Sequence, residues 1–232
     1  MAVGGDGVFN EVVNGVMDVA GSGAVAAVAA AGNANDHRRS TRRMPLVDAI
    51  VAAHIEGRAR NLDLLRIMIS TGGAEWRHYA HSYIGFGLTP VMAVGLKRDR
   101  KGTLAELRSV LRTFTELAPV EIIRSGGMHE LYDSLVFANV ARMAKYGRIS
   151  NSGRPDDGLF EVVACRHGGR RRIAVLALRA ATIGLGAQPR VDRVEFATVE
   201  AVPFQVDGEI RQLDAAADMV IDCLPHALAS VG

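Results

Sequence analysis

Met1-Ala2-Val3-Gly4-Gly5-Asp6-Gly7-Val8-Phe9-Asn10-Glu11-Val12-Val13-Asn14-Gly15 opens the chain, and its reading sets the fold. Met1-Ala2-Val3 is the stub of a buried strand that ends at Gly4. From about Val8, the residues Phe9, Val12, Val13 and Val16 recur at i, i+3, i+4 and i+7. That spacing is the apolar stripe of an amphipathic helix, with Asn10, Glu11 and Asn14 on its other side. The glycines between strand and helix let backbone N–H groups approach a ligand closely, and the helix N-terminus favours an anion. Asp6 in the same loop repels a bare phosphate, a conflict that a bridging divalent metal resolves. The same tetrapeptide also serves as a plain surface turn, so it does not decide the matter alone.

Moving outward, Gly21-Ser22-Gly23 breaks the helical pattern, and the apolar run Ala24 to Ala31 is consistent with a second buried strand. A polar turn follows, Gly32-Asn33-Ala34-Asn35-Asp36. Pro45 then opens a helix through Leu46, Ile50 and Ile55 that stops at Gly57. Strand–loop–helix repeated twice implies an open α/β layer, in which the loops at the carboxyl ends of neighbouring strands gather at one crevice. Asn33, Asn35 and Asp36 thus join Gly4 to Asp6 as candidates for a nucleotide–metal site, although Asn and Asp also form turns and caps. Beyond Arg60 the segments Leu62–Ile69, Tyr79–Ile84, Val120–Arg124, Leu135–Val140, Leu159–Cys165, Arg193–Val199 and Ile210–Leu213 are short and strand-like, interrupted by one helix over about Thr103–Glu116. Many short strands with turn punctuation predict a β-sandwich. The expected fold class is therefore α/β plus all-β.

Composition narrows the function classes. The 232 residues are 49% hydrophobic but only 5% aromatic, so the core is expected to be built mainly from Ala, Val, Leu and Ile. Net charge is +2, from 27 basic and 25 acidic residues, and names no partner. The basic clusters His37-Arg38-Arg39, Arg42-Arg43 and Arg170-Arg171-Arg172 are either solvated loop charge or faces for phosphates and acidic lipid surfaces. No aromatic positions are interleaved with them, which argues against nucleic acid. Cys165 and Cys223 stand far apart, so neither a disulfide framework nor a zinc site is expected, and a reducing cytoplasmic setting fits. His78 and His81 have metal-compatible spacing, yet two ligands make no site, and they read as surface or structural. Val19–Gly32 is too short to span a bilayer and lacks a cationic start. Phosphate-binding GxxxxGK[ST], HExxH and GxSxG patterns are absent from the sequence.

Two downstream segments carry acids. Gln205-Val206-Asp207-Gly208-Glu209 places two acids on either side of a glycine; in a hairpin both are expected to project toward a cleft, one as general base on a substrate hydroxyl and the other orienting it. Asp-Gly is also the commonest hairpin turn. In Arg154-Pro155-Asp156-Asp157-Gly158-Leu159, adjacent acids before a glycine suit a cation held with backbone carbonyls, or a turn.

Taken in order, these motifs resemble the diacylglycerol kinase catalytic-domain family, which includes soluble bacterial lipid kinases and sphingosine and ceramide kinases. Gly4 to Gly15 is similar to its GGDGTxNEVxNG signature, Gly32 to Asp36 to its GTGND loop, and Tyr83-Ile84-Gly85-Phe86-Gly87 to its GFG strand turn. Pro155 to Phe160 resembles the DDGxL segment, Val206 to Glu209 the VDGE, and Pro225-His226-Ala227-Leu228 the closing PxAL. The resemblance implies a partial α/β nucleotide-binding domain over residues 1–60, a β-sandwich over 61–221, and a closing segment, 222–232, returning to the first domain. It implies transfer of the γ-phosphoryl group of ATP, with Mg²⁺, to a lipid hydroxyl at a membrane surface. Gly4, Gly5, Asp6, Gly7, Val8, Asn10, Glu11, Asn33, Asn35 and Asp36 would serve ATP and its metal. Glu209 with Asp207 would activate the acceptor, and the Arg154 and Leu159 carbonyls with the Asp157 carboxylate would hold a second, structural Mg²⁺. A cytoplasmic protein with peripheral membrane contact is expected, with a second copy of the chain as a further partner.

The chain also departs from the pattern. Val8 stands for a threonine, Asn33 and Ala34 stand for Thr and Gly, and the strand, Asn-Pro phosphate loop and helix that would precede GGDG are not in the sequence. An N-terminally truncated kinase is the expectation that follows. The competing readings are a non-catalytic lipid- or partner-binding relative and a NAD kinase-like enzyme, which shares the GGDG loop; VDGE and DDGL favour the lipid branch.

Overall fold

The computed structural model describes residues 1–19, 21–30, 47–87, 119–143, 147–148, 153–168 and 183–231, with isolated positions between 172 and 182. The expected loop over 32–36, the basic segment 37–43 and the helix over 103–116 lie outside the described residues.

The opening forms as the glycine pattern dictates. Strand β1 (Ala2–Gly4) pairs in parallel with β2 (Ala26–Ala30), Ala2 opposite Val28, and helix α1 (Asp6–Met17) connects them. The helix begins two residues before the expected Val8, with Gly5 as its N-cap and Asp6 in the first turn, where an acid suits the helix dipole. Phe9 and Val13 pack with Ala2, Ala26, Val28, Leu64 and Leu228 in one apolar cluster. A second helix, α2 (Val47–Ile55), buries Ile50 and Ala53 against Ala27 and Val231.

The remainder is mostly strand: β3 (Arg60–Thr71), β4 (Ala74–Ala80), β5 (Tyr83–Gly87), β6 (Val120–Arg124), β7 (Met128–Ala138), β8 (Arg142–Met143), β9 (Gly147–Arg148), β10 (Phe160–Arg166), β11 (Arg190–Val191), β12 (Arg193–Thr198), β13 (Val202–Val206), β14 (Glu209–Leu213) and β15 (Asp218–Val231). Except for the β1–β2 and β2–β15 pairings, the ladders are antiparallel, and they run continuously in the order β1-β2-β15-β12-β6-β7-β5-β13-β14. The fold is thus an α/β opening joined to a β-rich region. The expected strand over Tyr79–Ile84 is two strands, because the amides of His81 and Ser82 leave the ladder for a side-chain carboxylate described below.

The core of the β-rich region is more aromatic than composition alone suggested. Phe86 meets Phe196 edge-on at 5.6 Å and stacks on Phe204 at 5.5 Å, while Phe137 stacks on Phe196 at 6.0 Å. Ile67, Met219 and Ile221 close over these rings from β3 and β15. Gly87 lets β5 run close beside β7: a Cβ there would lie 2.4 Å from the Asp133 carbonyl oxygen, and its φ is +72°.

Strand β15 belongs to both cores. Met219 and Ile221 face the aromatic cluster, while Leu228 packs beside Phe9. Its register against β3 shifts between Leu224 and Leu228, where Pro225 and His226 bulge out, and Ser230 then pairs in parallel with Ala26. The bulge re-aims the strand from one core to the other.

Candidate functional site

Two motifs about two hundred residues apart in sequence meet at one buried carboxylate. Asp207 and Gly208 form the two-residue turn between β13 and β14, with φ of +47° and +94°. Positive φ at both central positions is the type I′ geometry that suits the twist of a hairpin, and Asp-Gly is the pair that adopts it readily. The Asp207 side chain turns inward and is fully buried. Its Oδ2 accepts Asn10 Nδ2–H at 2.7 Å and the His81 amide at 2.8 Å; its Oδ1 accepts the amides of Ser82 and Tyr83, each at 2.9 Å. The His81 ring adds its Nε2 at 3.3 Å from Oδ2 and 3.2 Å from the Asp6 carbonyl oxygen. Four N–H donors offset the cost of removing a charge from water. The expectation that Asp207 and Glu209 both face a cleft is therefore corrected: Asp207 is enclosed and fastens structure together.

Asn10 and Asn14, assigned from sequence to the open side of α1, face β4 instead. Asn14 treats that strand as a neighbouring strand would, accepting the Tyr79 amide on Oδ1 and donating to the Tyr79 carbonyl, both at 2.9 Å. Asn10 also donates to the Tyr79 carbonyl, at 2.7 Å. His78 Nε2 lies 2.9 Å from Asn10 Oδ1, a contact that needs the ring proton on Nε2. Burial, then the nearby Arg211 charge, pull the His78 pKa down to about 4. Polar residues on a helix usually mark its wet face; here they satisfy backbone groups at a strand edge. Asn10 is thus not placed to touch a nucleotide, and Glu11 is exposed on the outer side of the helix.

Glu209 is the acid that stays accessible. Its side chain is 36% exposed, and Oε2 lies 3.4 Å from Arg211 Nη2. Its Oε1 sits 3.4 Å from where a Cβ on Gly7 would be, so the carboxylate rests directly on the GGDG loop. The first turn of α1 carries no side-chain cap on Gly5. Uncapped amides at a helix N-terminus suit a phosphate. Gly4, by contrast, is required by packing, since a Cβ there would collide with Val8 Cβ at 2.9 Å. Val8 is 44% exposed on that first turn. The structure thus brings Gly4, Gly5, Asp6, Gly7 and Val8 together with Glu209. Asn33, Asn35 and Asp36 lie outside the described residues.

The Arg154–Leu159 turn is held elsewhere, by a residue the sequence reading passed over. Asp63 is buried; its Oδ2 accepts the Gly158 amide at 2.6 Å, its Oδ1 accepts the His226 amide at 2.8 Å, and its own amide donates to the Pro155 carbonyl at 2.7 Å. An aspartate inside the apolar run Leu62-Asp63-Leu64-Leu65 was the available signal. Asp157 pairs with the Arg190 guanidinium through Oδ2 and accepts the Leu159 amide at 3.3 Å on Oδ1. Arg154 reaches Asp156 at 3.1 Å. Arg190 thus supplies positive charge to Asp157, the one carboxylate of the expected structural metal site. Among the described residues no group of three or more His, Cys, Asp or Glu is arranged for a metal ion. Burial, followed by the charges of Asp63, Asp157 and Asp192, drives the Cys223 thiol up to about 12, so it stays protonated and unreactive.

Two outcomes are expected. His78 titrates near 4 in the fold and near 6.5 when exposed, so between those values the unfolded chain binds the proton first and stability rises with pH. Urea unfolding should show stability falling as pH drops through that window, and His78→Gln should flatten that part of the curve; an unchanged slope would contradict this placement. Arg190→Gln should cost about 0.2–1 kcal/mol, the range for a solvent-accessible ion pair. EDTA or added Mg²⁺ should leave the melting temperature of the unsubstituted chain unchanged.

Three comparisons bear on the identity of this arrangement. Residues 1–67 match the family model described as the diacylglycerol kinase catalytic domain. No curated protein matches. Among solved structures, a "putative diacylglycerol kinase from Bacillus anthracis str. Sterne" superposes with a TM-score of 0.69 at 16% identity, covering 99% of this chain and 75% of that one. A second crystal structure of that description gives 0.65 at 15% identity, with 99% and 74% covered. A third structure, of a diacylglycerol kinase from the same organism, gives 0.65 at 14% identity, with 99% and 73% covered. At such identities the likeness is one of fold. The likeness to the diacylglycerol kinase catalytic domain in sequence thus lies in the first 67 residues, which carry the Gly4–Asp6 loop and helix α1.

Proposed function

We propose that the chain is the acceptor-activating and phosphate-facing part of an ATP- and Mg²⁺-dependent lipid kinase, acting on the hydroxyl of a diacylglycerol-like or sphingoid lipid. The observation that carries this reading is the contact of Glu209 with Gly7, which sets an accessible carboxylate on an uncapped helix N-terminus. The amides of that first turn would receive the phosphate chain of ATP. Asp6 would hold Mg²⁺, whose charge would offset that of the phosphates. Glu209 takes the proton of the acceptor hydroxyl while its oxygen bonds to the γ-phosphorus; the bond from phosphorus to the β–γ bridging oxygen breaks, and ADP leaves. Asp207 acts through position, holding the hairpin that carries Glu209 against α1. Residues 1–60 would form the nucleotide-binding unit and 61–221 a β-sandwich unit, with 222–232 returning to the first.

No helix among the described residues is long and apolar enough to cross a membrane. A cytoplasmic protein meeting its lipid at a membrane surface is the setting we infer. A non-catalytic relative is the second reading, favoured by Val8, which presents an apolar side chain where the family pattern has a hydroxyl.

The test is ATP-dependent phosphorylation of diacylglycerol in mixed micelles, with Mg²⁺·ATP binding followed by calorimetry. Turnover is expected, with Glu209→Gln lowering it about 100-fold or more and leaving ATP affinity near its starting value. Undiminished turnover in Glu209→Gln would contradict the assigned base. Neither turnover nor ATP binding would favour the non-catalytic reading.

A further inference from the structure

One imidazole reaches both Asp6 and Asp207. The His81 side chain is 1% exposed and sits in the bend between β4 and β5, with the Phe9 ring tilted against it at 4.8 Å. Its Nε2 lies 3.2 Å from the Asp6 carbonyl oxygen and 3.3 Å from Asp207 Oδ2. Both of these atoms are acceptors, so the ring proton belongs on Nε2 and is shared between them. Nδ1 is then bare, and the Ser82 hydroxyl donates to it at 2.7 Å. The backbone of the same residue is also held. Its amide donates to Asp207 Oδ2 at 2.8 Å, and its carbonyl accepts Asn139 Nδ2–H at 3.2 Å.

Each acceptor stands close in the chain to one half of the Glu209–Gly7 contact. Asp6 is joined to Gly7 by a planar peptide, in which the Asp6 carbonyl and the Gly7 N–H point in opposite directions. Holding that carbonyl therefore holds Gly7, on which Glu209 rests. Asp207 precedes Glu209 by two residues, in the tight turn between β13 and β14. His81 thus grips the arm that carries the GGDG loop and the arm that carries the accessible carboxylate. Few torsions separate either grip from the contact, so a displaced ring changes the Glu209–Gly7 separation.

We propose that His81 is a positioning residue for Glu209, setting its distance from the GGDG loop through the proton shared from Nε2. It acts through Asp6 and Asp207 and needs no contact with substrate. The inference rests on the kinase reading, to which it adds the residue that places the base. A displacement of about 1 Å at a reacting group can cost about 100-fold in rate.

The experiment measures turnover of diacylglycerol in mixed micelles by the full chain, His81→Leu, His81→Gln, Glu209→Gln and the double variant His81→Leu with Glu209→Gln. His81→Leu should lower kcat about 10–100-fold. His81→Gln keeps an N–H donor in place of Nε2–H and should recover most of the rate. In the Glu209→Gln background His81→Leu should cost less than about twofold, because the group it positions is gone. Equal losses in both backgrounds would show a role in folding alone and overturn the proposal, as would equal losses in His81→Leu and His81→Gln. Independently of any variant, the nitrogen-15 resonances of the His81 ring should show a protonated Nε2 and a bare Nδ1; a proton on Nδ1 alone overturns the shared donor. Turnover that ignores His81 sinks this inference and leaves the kinase reading standing, whereas no turnover in the unsubstituted chain sinks both.

Discussion

A carboxylate without access to water holds its charge only where donors replace the water it has lost. Asp207 meets that condition with donors from two regions: the Asn10 side chain on α1, and three consecutive amides where β4 gives way to β5. Each needs the others in place. The amides are available only if the chain leaves its ladder at His81, and Asn10 arrives only if α1 lies along β4. One buried charge thus ties the opening helix, the bend between two strands and the VDGE hairpin into a single arrangement. The accessible Glu209 is placed over Gly7 as a consequence.

The two acid-bearing motifs accordingly divide their labour. Within VDGE, one acid is enclosed and positions the turn, while the next is left at the surface beside the GGDG loop. Within GGDGxxNE, Gly7 leaves room beside Glu209, Gly4 answers to the bulk of Val8, and Asn10 serves the fold. Conserving charge neutrality at a second turn follows similar logic, because Arg190 meets Asp157 where a metal was expected. The turn is then fixed by groups the chain carries itself, with Asp63 gripping it and the β15 bulge together.

Much of this was legible in the sequence. The strand–glycine–helix opening, the Asp-Gly hairpin and the strand-like segments after Arg60 all follow from local pattern, because turn chemistry and periodicity are local properties. What was not legible depends on partners distant in sequence. Asn10 and Asn14 read as solvent-facing because nothing nearby shows that a strand edge at Tyr79 will meet them. Asp207 read as a second cleft acid because its donors lie more than a hundred residues away. The aromatic core was understated because a low overall aromatic fraction does not reveal that Phe86, Phe137, Phe196 and Phe204 converge. Asp63 carries no motif; only its surroundings single it out.

The claim that the Asn10–Asp207 contact joins α1 to the hairpin is tested most directly by a double-mutant cycle in urea unfolding. The variants are Asn10→Ala, Asp207→Asn and the two combined. The account predicts a coupling of about 1 kcal/mol or more, within the range for directly interacting residues. Losses that add to within about 0.5 kcal/mol would show the two residues acting independently and would contradict it.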